Sequence, residues 1–315
     1  VERYGADSVR FALMNSPVMS GESVAFGDDL VEEVYKKNIQ RIENVVDFYK
    51  MYSQEVEDEN NIGSDNILDK WILARLGEVI KTSIDGYENY RLDIAVSKIP
   101  LFIDDLSTWY LRRSRDRIKE GDKKALFTLK YVLNEFSKVI APAMPFLAER
   151  IYKEVNNTED SVHLQSYPKQ EFIDEVLVSE MSAVRDIVTD LLMLRQKNNV
   201  PVRQPLLSAT INRNIDQKYH NLIQEEINVK NIIINDKGTN DLDFNLNEEL
   251  ITEGKQRELS RQIKDKRKEL GLVAEDYIVV TVKNEQIELL DEEYKTSMNI
   301  KEVKVGESVN VDKIL

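Results

Sequence analysis

Phe102-Ile103-Asp104-Asp105-Leu106-Ser107-Thr108-Trp109-Tyr110-Leu111-Arg112-Arg113-Ser114-Arg115-Asp116-Arg117 runs from an apolar helix face into a cationic one. Phe102, Ile103, Leu106, Trp109 and Tyr110 recur at helical spacing and continue a stripe begun by Val96 and Ile99. From Arg112 to Arg117, four arginines stand against one aspartate, a local +3 in a chain of net charge -14. Two readings of these arginines stay open. In one they pair with Asp104, Asp105 and Asp116 and cap a helix bundle. In the other their guanidinium forks meet phosphates and base edges, with Trp109 and Tyr110 packing or stacking beside them. Arg113 and Arg117 are four apart and so share a helix face.

Working outward, helical periodicity covers the first two thirds. Asp29, with Glu32 three residues on, is close to a capping box. The apolar series Val31, Val34, Ile42, Val45, Tyr49 and Tyr52 then predicts a long helix. The acidic, polar stretch from Gln54 to Gly63 reads as a linker. Further helices are expected over about Ile67–Ile84, ending before Asp85-Gly86, and over about Leu92–Ile118, bent or restarted at Pro100. Lys123–Ile140 is the next, stopped by Ala141-Pro142-Ala143-Met144-Pro145. Phe146–Val155 and Phe172–Lys197 follow, with a polar loop between Asn156 and Lys169. Together these make an antiparallel helix bundle.

Beyond Pro201, Leu206–Ile211, Val229–Ile234, Tyr277–Val282 and Ile300–Val305 are rich in β-branched residues and read as strands. Helices at about Ile215–Glu226 and Glu248–Leu270 separate them, an α+β pattern. No internal repeat is legible. The expected division is 1–28 as a lead-in segment, 29–200 as the bundle and 201–315 as a small α+β domain.

Composition narrows the chemistry. The chain has 315 residues, 42% of them hydrophobic, no cysteine and two histidines. Disulfides, thiolate catalysis and Cys-based zinc are excluded. His163 and His220 stand far apart and beside no nucleophile motif. Neither GxGxxG nor GxxxxGK[ST] occurs. The chain is therefore expected to bind rather than catalyse, to need no cofactor or metal of its own and to bind no membrane. Starting without Met and in mid-pattern, it reads as part of something longer.

Two further basic clusters interrupt the acidic background. Arg195-Gln196-Lys197-Asn198-Asn199-Val200-Pro201-Val202-Arg203-Gln204-Pro205 holds three cations and no acid across a helix end. It fits either macrodipole compensation or base-edge contacts from Asn198 and Gln204. Lys255 to Lys268 holds seven cations against two acids and reads as a solvated amphipathic helix face.

Several of these stretches resemble the anticodon-binding part of the bacterial isoleucyl-tRNA synthetases, class I aminoacyl-tRNA synthetases. Tyr4-Gly5-Ala6-Asp7-Ser8-Val9-Arg10 looks like the segment just after the family's KMSKS loop, and Gly21-Glu22-Ser23-Val24-Ala25-Phe26 like its lead into the anticodon domain. Leu68-Asp69-Lys70-Trp71-Ile72-Leu73-Ala74-Arg75-Leu76 is similar to its "LDRWILSRL". The Phe102–Arg117 stretch matches "FIDDLSNWYVRRSRDR" nearly letter for letter. Ala141-Pro142, Pro145-Phe146-Leu147-Ala148-Glu149, Ser161-Val162-His163-Leu164 and Val202-Arg203-Gln204-Pro205-Leu206 complete the set. Ile118-Lys119-Glu120-Gly121-Asp122 replaces an aromatic pair common in the family, and its HIGH, KMSKS and editing regions are absent.

The resemblance implies a cytoplasmic, monomeric isoleucine–tRNA ligase whose catalytic and editing domains lie elsewhere and use ATP and Mg. This part would hold the anticodon stem-loop of tRNA(Ile). The residues it nominates for RNA contact are Trp109, Tyr110, Arg112, Arg113, Arg115, Arg117, Lys197, Arg203 and Gln204. The alternatives are the equivalent module of a valyl- or leucyl-tRNA synthetase, and an acidic helical protein-interaction scaffold without RNA affinity.

Overall fold

A computed structural model of the chain describes residues 1–53, 63–236, 238–273 and 275–314. Most of the expected linker, residues 54–62, lies outside the described residues. The chain separates into two compact units, Val1–Ser179 and Glu180–Leu315.

The first unit is helical: α1 (Gly5–Met14), α2 (Asp28–Val34), α3 (Gln40–Tyr52), α4 (Ile67–Glu88), α5 (Leu92–Val96), α6 (Ile99–Asp104), α7 (Arg112–Lys119), α8 (Lys123–Ile140) and α9 (Pro145–Asn156). Two short stretches are wound as π-helix, Tyr35–Ile39 between α2 and α3 and Asp105–Leu111 between α6 and α7. Such widened turns shift the phase of the residues that follow.

Caps account for several boundaries. The Asp122 carboxylate accepts from the Ala125 amide at 3.1 Å and starts α8, which ends before Pro142. Asn66 caps α4 by accepting from Leu68 N at 2.9 Å. For α9 the cap comes from far along the chain: Asp7 accepts from the Leu147 amide at 2.7 Å. The capping box expected at Asp29 is not formed. Gly27 is the N-cap residue and makes no side-chain cap, while Asp28 and Asp29 sit in the first turn, where they complement the dipole.

Gly86 does not end α4 either. A Cβ there would lie 2.4 Å from the Ala95 backbone nitrogen, so the glycine admits α5. The helix stops instead at Tyr90, which takes φ +57° while the Arg91 amide reaches back to the Gly86 carbonyl at 2.8 Å. Pro100 occupies the first turn of α6, as its missing N–H allows. Trp71, Ile72, Leu76, Ile99, Phe102, Leu129 and Phe136 form the core, with the Phe102 and Phe136 rings 4.9 Å apart. Each such side chain contributes about 1.5–3 kcal/mol by leaving water.

The second unit takes most of α10 (Glu175–Lys197), then β1 (Leu206–Ile211), α11 (His220–Ile227), β2 (Val229–Ile234), β3 (Asp241–Leu242), α12 (Glu248–Glu269), β4 (Ile278–Val282), α13 (Glu292–Ser297), β5 (Ile300–Val305) and β6 (Asn310–Lys313). Helix α10 starts three residues later than the periodicity suggests, because Asp174 caps it by accepting from Leu177 N at 2.8 Å. The strands form two three-stranded sheets, ordered β2-β1-β3 and β5-β4-β6. The central strands β1 and β4 pair parallel with β2 and β5 and antiparallel with β3 and β6, respectively. The expected change at residue 200 follows the appearance of strands. By packing, the division falls at Ser179, because Glu180 already accepts from the Tyr219 hydroxyl at 2.7 Å. The chain is thus mainly helical, with a smaller α+β part.

Candidate nucleic-acid interface

The arginine run is sorted by α7 into an inner and an outer set. Arg117 turns inward onto Asp69 of α4, which is fully buried: Nη1 donates to Oδ2 at 2.9 Å, and Nη2 bonds Oδ1. Arg117 also reaches Ser114 Oγ at 2.9 Å and the Asp122 carboxylate at 3.3 Å. The Tyr110 hydroxyl donates to the same Asp69 Oδ1 at 2.8 Å. Burial pushes the Tyr110 hydroxyl well above its ordinary pKa, and the neighbouring Asp69 charge adds to the shift. One carboxylate therefore collects a phenol and a guanidinium in the bundle interior, where an unmatched charge is expensive.

Arg112 and Arg115 are exposed. The Arg112 Nε donates to the Thr108 carbonyl one turn back at 2.8 Å, and its guanidinium lies 5.9 Å from the centre of the half-buried Trp109 ring. Arg115 stands over the buried Phe48 ring at 5.3 Å. Both positive heads are braced on aromatic faces with their outer edges toward solvent. Arg113 is half-buried. Asp104 accepts from Arg41 at 2.5 Å and Asp105 from Arg75 at 2.7 Å.

The second cluster lies in the second unit. Lys197 is exposed at the end of α10. Arg203 pairs with Glu258 of α12. Gln204 turns inward, donating to Leu250 O at 2.8 Å and Pro205 O at 3.1 Å, and its amide fills the space left by the missing side chain of Gly254. Of the residues nominated from sequence, Tyr110, Arg117 and Gln204 thus spend their polar groups within the fold. Trp109, Arg112, Arg113 and Arg115 share one helical segment.

Sequence reasoning left Arg195 out of the nominated set. It is 1% exposed and pairs with no carboxylate among the described residues. It donates instead to three carbonyls: Pro201 at 3.1 Å, Gln204 at 2.8 Å and Asn228 at 2.8 Å. The loop carrying Arg203 is folded around this guanidinium. Burial lowers its pKa to about 10, leaving it charged at neutral pH. The available signal is that Arg195 continues the apolar stripe Val184, Ile187, Val188, Leu191, where a cation has no reason to sit unless it has partners.

His163 is exposed, and His220 Nε2 lies 3.3 Å from Ile215 O. Among the described residues no group of three His, Cys, Asp or Glu is placed to hold a metal ion, and no helix is long and apolar enough to cross a membrane.

Residues 69–211 match the family described as the anticodon-binding domain of tRNA ligase. The chain is 33% identical over 91% of its length to isoleucine–tRNA ligase of Chlamydia abortus, of which it covers 30%. It is 36% identical over 74% of its length to that of Chlamydia trachomatis serovar D, of which it covers 24%. The match to isoleucine–tRNA ligase 2 of Pseudomonas fluorescens is 33% over 74% of this chain and 24% of that one. The chain therefore spans under a third of the length of these curated relatives. A ternary complex of Agrobacterium radiobacter K84 agnB2 LeuRS with tRNA and LeuAMS aligns at a TM-score of 0.37 and 17% identity, over 56% of this chain and 21% of that one, too distant a likeness to carry an argument. Residues 69–211 belong to the tRNA-ligase anticodon-binding family, and the chain corresponds to the anticodon-binding part of the isoleucine–tRNA ligases.

Proposed function

We propose that the chain grips the anticodon stem and loop of tRNA(Ile), as the RNA-holding part of a cytoplasmic, ATP- and Mg-dependent isoleucine–tRNA ligase. The observation that carries this reading is the sorting of the arginine run. Arg117 and Tyr110 lock α7 into the bundle, and Arg112 and Arg115 are left outward on aromatic supports. A rigid helix presenting cations beside a half-buried Trp109 suits an RNA loop, whose phosphates set register and whose splayed bases stack. Arg113, Lys197 and Arg203 are secondary contacts in this reading. Adenylate formation and transfer to the tRNA 3′ end belong to other parts of such a ligase.

The test is a filter-binding comparison of tRNA(Ile), tRNA(Val) and tRNA(Leu) transcripts at one fixed salt concentration. The expected result is preferential binding of tRNA(Ile), with a Kd that weakens steeply as salt rises. Equal affinity for all three transcripts removes the isoleucine assignment, and absence of salt-dependent binding removes RNA recognition altogether.

A further inference from the structure

The second unit contains the same arginine device twice. Arg195 near the end of α10 donates to the carbonyls six and nine residues on, Pro201 and Gln204. Arg267 near the end of α12 does the same to Val273 at 2.6 Å and Asp276 at 3.0 Å, again six and nine residues on. Both arginines are buried and continue an apolar helix stripe, Leu259, Ile263 and Arg267 in the second case. Each sends a third bond to the turn before a parallel strand: Arg195 to Asn228 O, and Arg267 to Met298 O at 2.7 Å.

The strands repeat as well. β1 and β4 begin at equal distances after their arginines, at Leu206 and Ile278. Leu206 N bonds Asn228 O at 3.1 Å and Ile278 N bonds Asn299 O at 3.0 Å, and both asparagines take φ +51°. At the far end, Asn235 N bonds Ile211 O and Gly306 N bonds Val282 O, both at 2.9 Å. Sheet order and strand directions agree throughout.

The first copy's helix, clamp loop and β1 fall within the residues matched to the anticodon-binding family, 69–211, and the second copy lies outside them. Its clamp loop carries Glu275 and Asp276, so positive charge has moved from the loop onto the helix. Much of the α12 run is neutralised locally: Arg257 pairs with Glu253, Arg261 with Glu258 and Asp265, and Lys266 with Glu269. Lys264 and Lys268 are exposed, one turn apart on a single face with Arg257 and Arg261, and make no ion pair among the described residues. Lys255 is also exposed and unpaired, but nine residues at 100° each place it on the opposite side of α12 from Lys264.

We infer that residues 180–314 hold two copies of one αβ unit, and that the second supplies an additional contact for an RNA phosphate backbone on the α12 face of Lys264 and Lys268. This rests on the RNA-binding reading above. Charge complementarity favours RNA, since an acidic chain has here turned unpaired cations outward on the repeat of an RNA-family element.

The test measures Kd for a tRNA(Ile) transcript, its salt slope and the melting temperature on the same samples of the whole chain. The Lys264→Ala/Lys268→Ala variant should bind about tenfold more weakly, with a salt slope shallower by roughly 1.4 to 1.8 and an unchanged melting temperature. Lys255→Ala should leave affinity within about twofold, as expected where no phosphate is contacted. Wild-type affinity in the double variant, alongside weakened binding by Arg112→Ala/Arg115→Ala, overturns the second RNA site alone. An equal loss in Lys255→Ala overturns the assignment to this face. Wild-type chain that binds no RNA overturns both readings. Retained RNA binding with diminished binding of an acidic peptide assigns the face to a protein instead.

Discussion

Arg117 of α7 closes both terminal guanidinium nitrogens, Nη1 and Nη2, onto the buried carboxylate of Asp69 in α4. That contact fixes the rotation of α7 about its own axis, and so decides which arginines face water. Removing one partner leaves a charge stranded in the interior. Asp69→Ala is expected to cost about 3–5 kcal/mol. For a unit of this size that lowers the melting temperature by roughly 6 to 20 °C. Thermal unfolding followed by circular dichroism checks it, and a melting temperature within a degree of wild type contradicts the inward role.

The same reasoning applies to Arg195, which holds three carbonyls around one guanidinium. Arg195→Ala removes a charged donor from all three, although Leu206 N still reaches Asn228 O and Gln204 N still reaches Pro201 O. The variant is expected to be destabilised by about 2–4 kcal/mol, as removal of hydrogen bonds from a charged group does. Hydrogen exchange should show the loss concentrated at residues 198–205 and around Asn228. Uniformly raised exchange across the chain counts against a local clamp.

Tyr90 is 92% exposed and sits at positive φ, where a side chain costs about 1–2 kcal/mol relative to glycine. Tyr90→Gly is therefore expected to raise stability by about 1 kcal/mol, since the helix-ending hydrogen bonds are kept. Gly86→Ala, whose Cβ meets the Ala95 backbone, is expected to lower it by about 1–3 kcal/mol. Urea denaturation of the pair reads both signs in one experiment.

Acid should loosen the second unit. Hydrogen bonds from Lys218 and the Tyr219 hydroxyl hold the Glu180 carboxyl below its ordinary value of 4.5. A carboxyl lowered on folding contributes stability above its unfolded pKa, and that contribution is lost as pH falls through the folded one. Melting temperature should therefore drop below about pH 4.5, and Glu180→Gln should make that drop shallower. Parallel acid slopes for the two proteins would mean that Glu180 has no part in it.

Much of the fold is legible because local signals coincide with tertiary ones. Helix α8 runs from Lys123 to Ile140 as expected, since the Asp122 cap and Pro142 mark both ends. The strands β1, β2 and β5 also match, as short segments that hold β-branched residues between polar positions. Gly86 misleads because a glycine admitting a neighbouring helix looks in sequence like one ending a helix. Strands β3 and β6 escape because two and four edge residues carry no periodicity. The repeat is hidden because the copies share backbone geometry and one buried arginine, while their clamp loops have opposite charge. At the site, the sequence shows that an arginine run exists but not which members turn inward. That depends on Asp69, on another helix, and on the π-wound turn before Arg112, which shifts the phase that spacing assumes.

RNA recognition by the outer face of α7 is tested most directly with one double variant, Arg112→Ala/Arg115→Ala. Affinity for the anticodon stem-loop of tRNA(Ile) and melting temperature are measured on the same sample. Binding should weaken by about 1–3 kcal/mol for each arginine that engages the RNA. The salt slope should become shallower by about 0.7 to 0.9 for each phosphate released, and the melting temperature should stay within a degree or two of wild type. Undiminished affinity in a well-folded double variant, or a loss no larger than its unfolding explains, would contradict the claim that this helix face holds RNA.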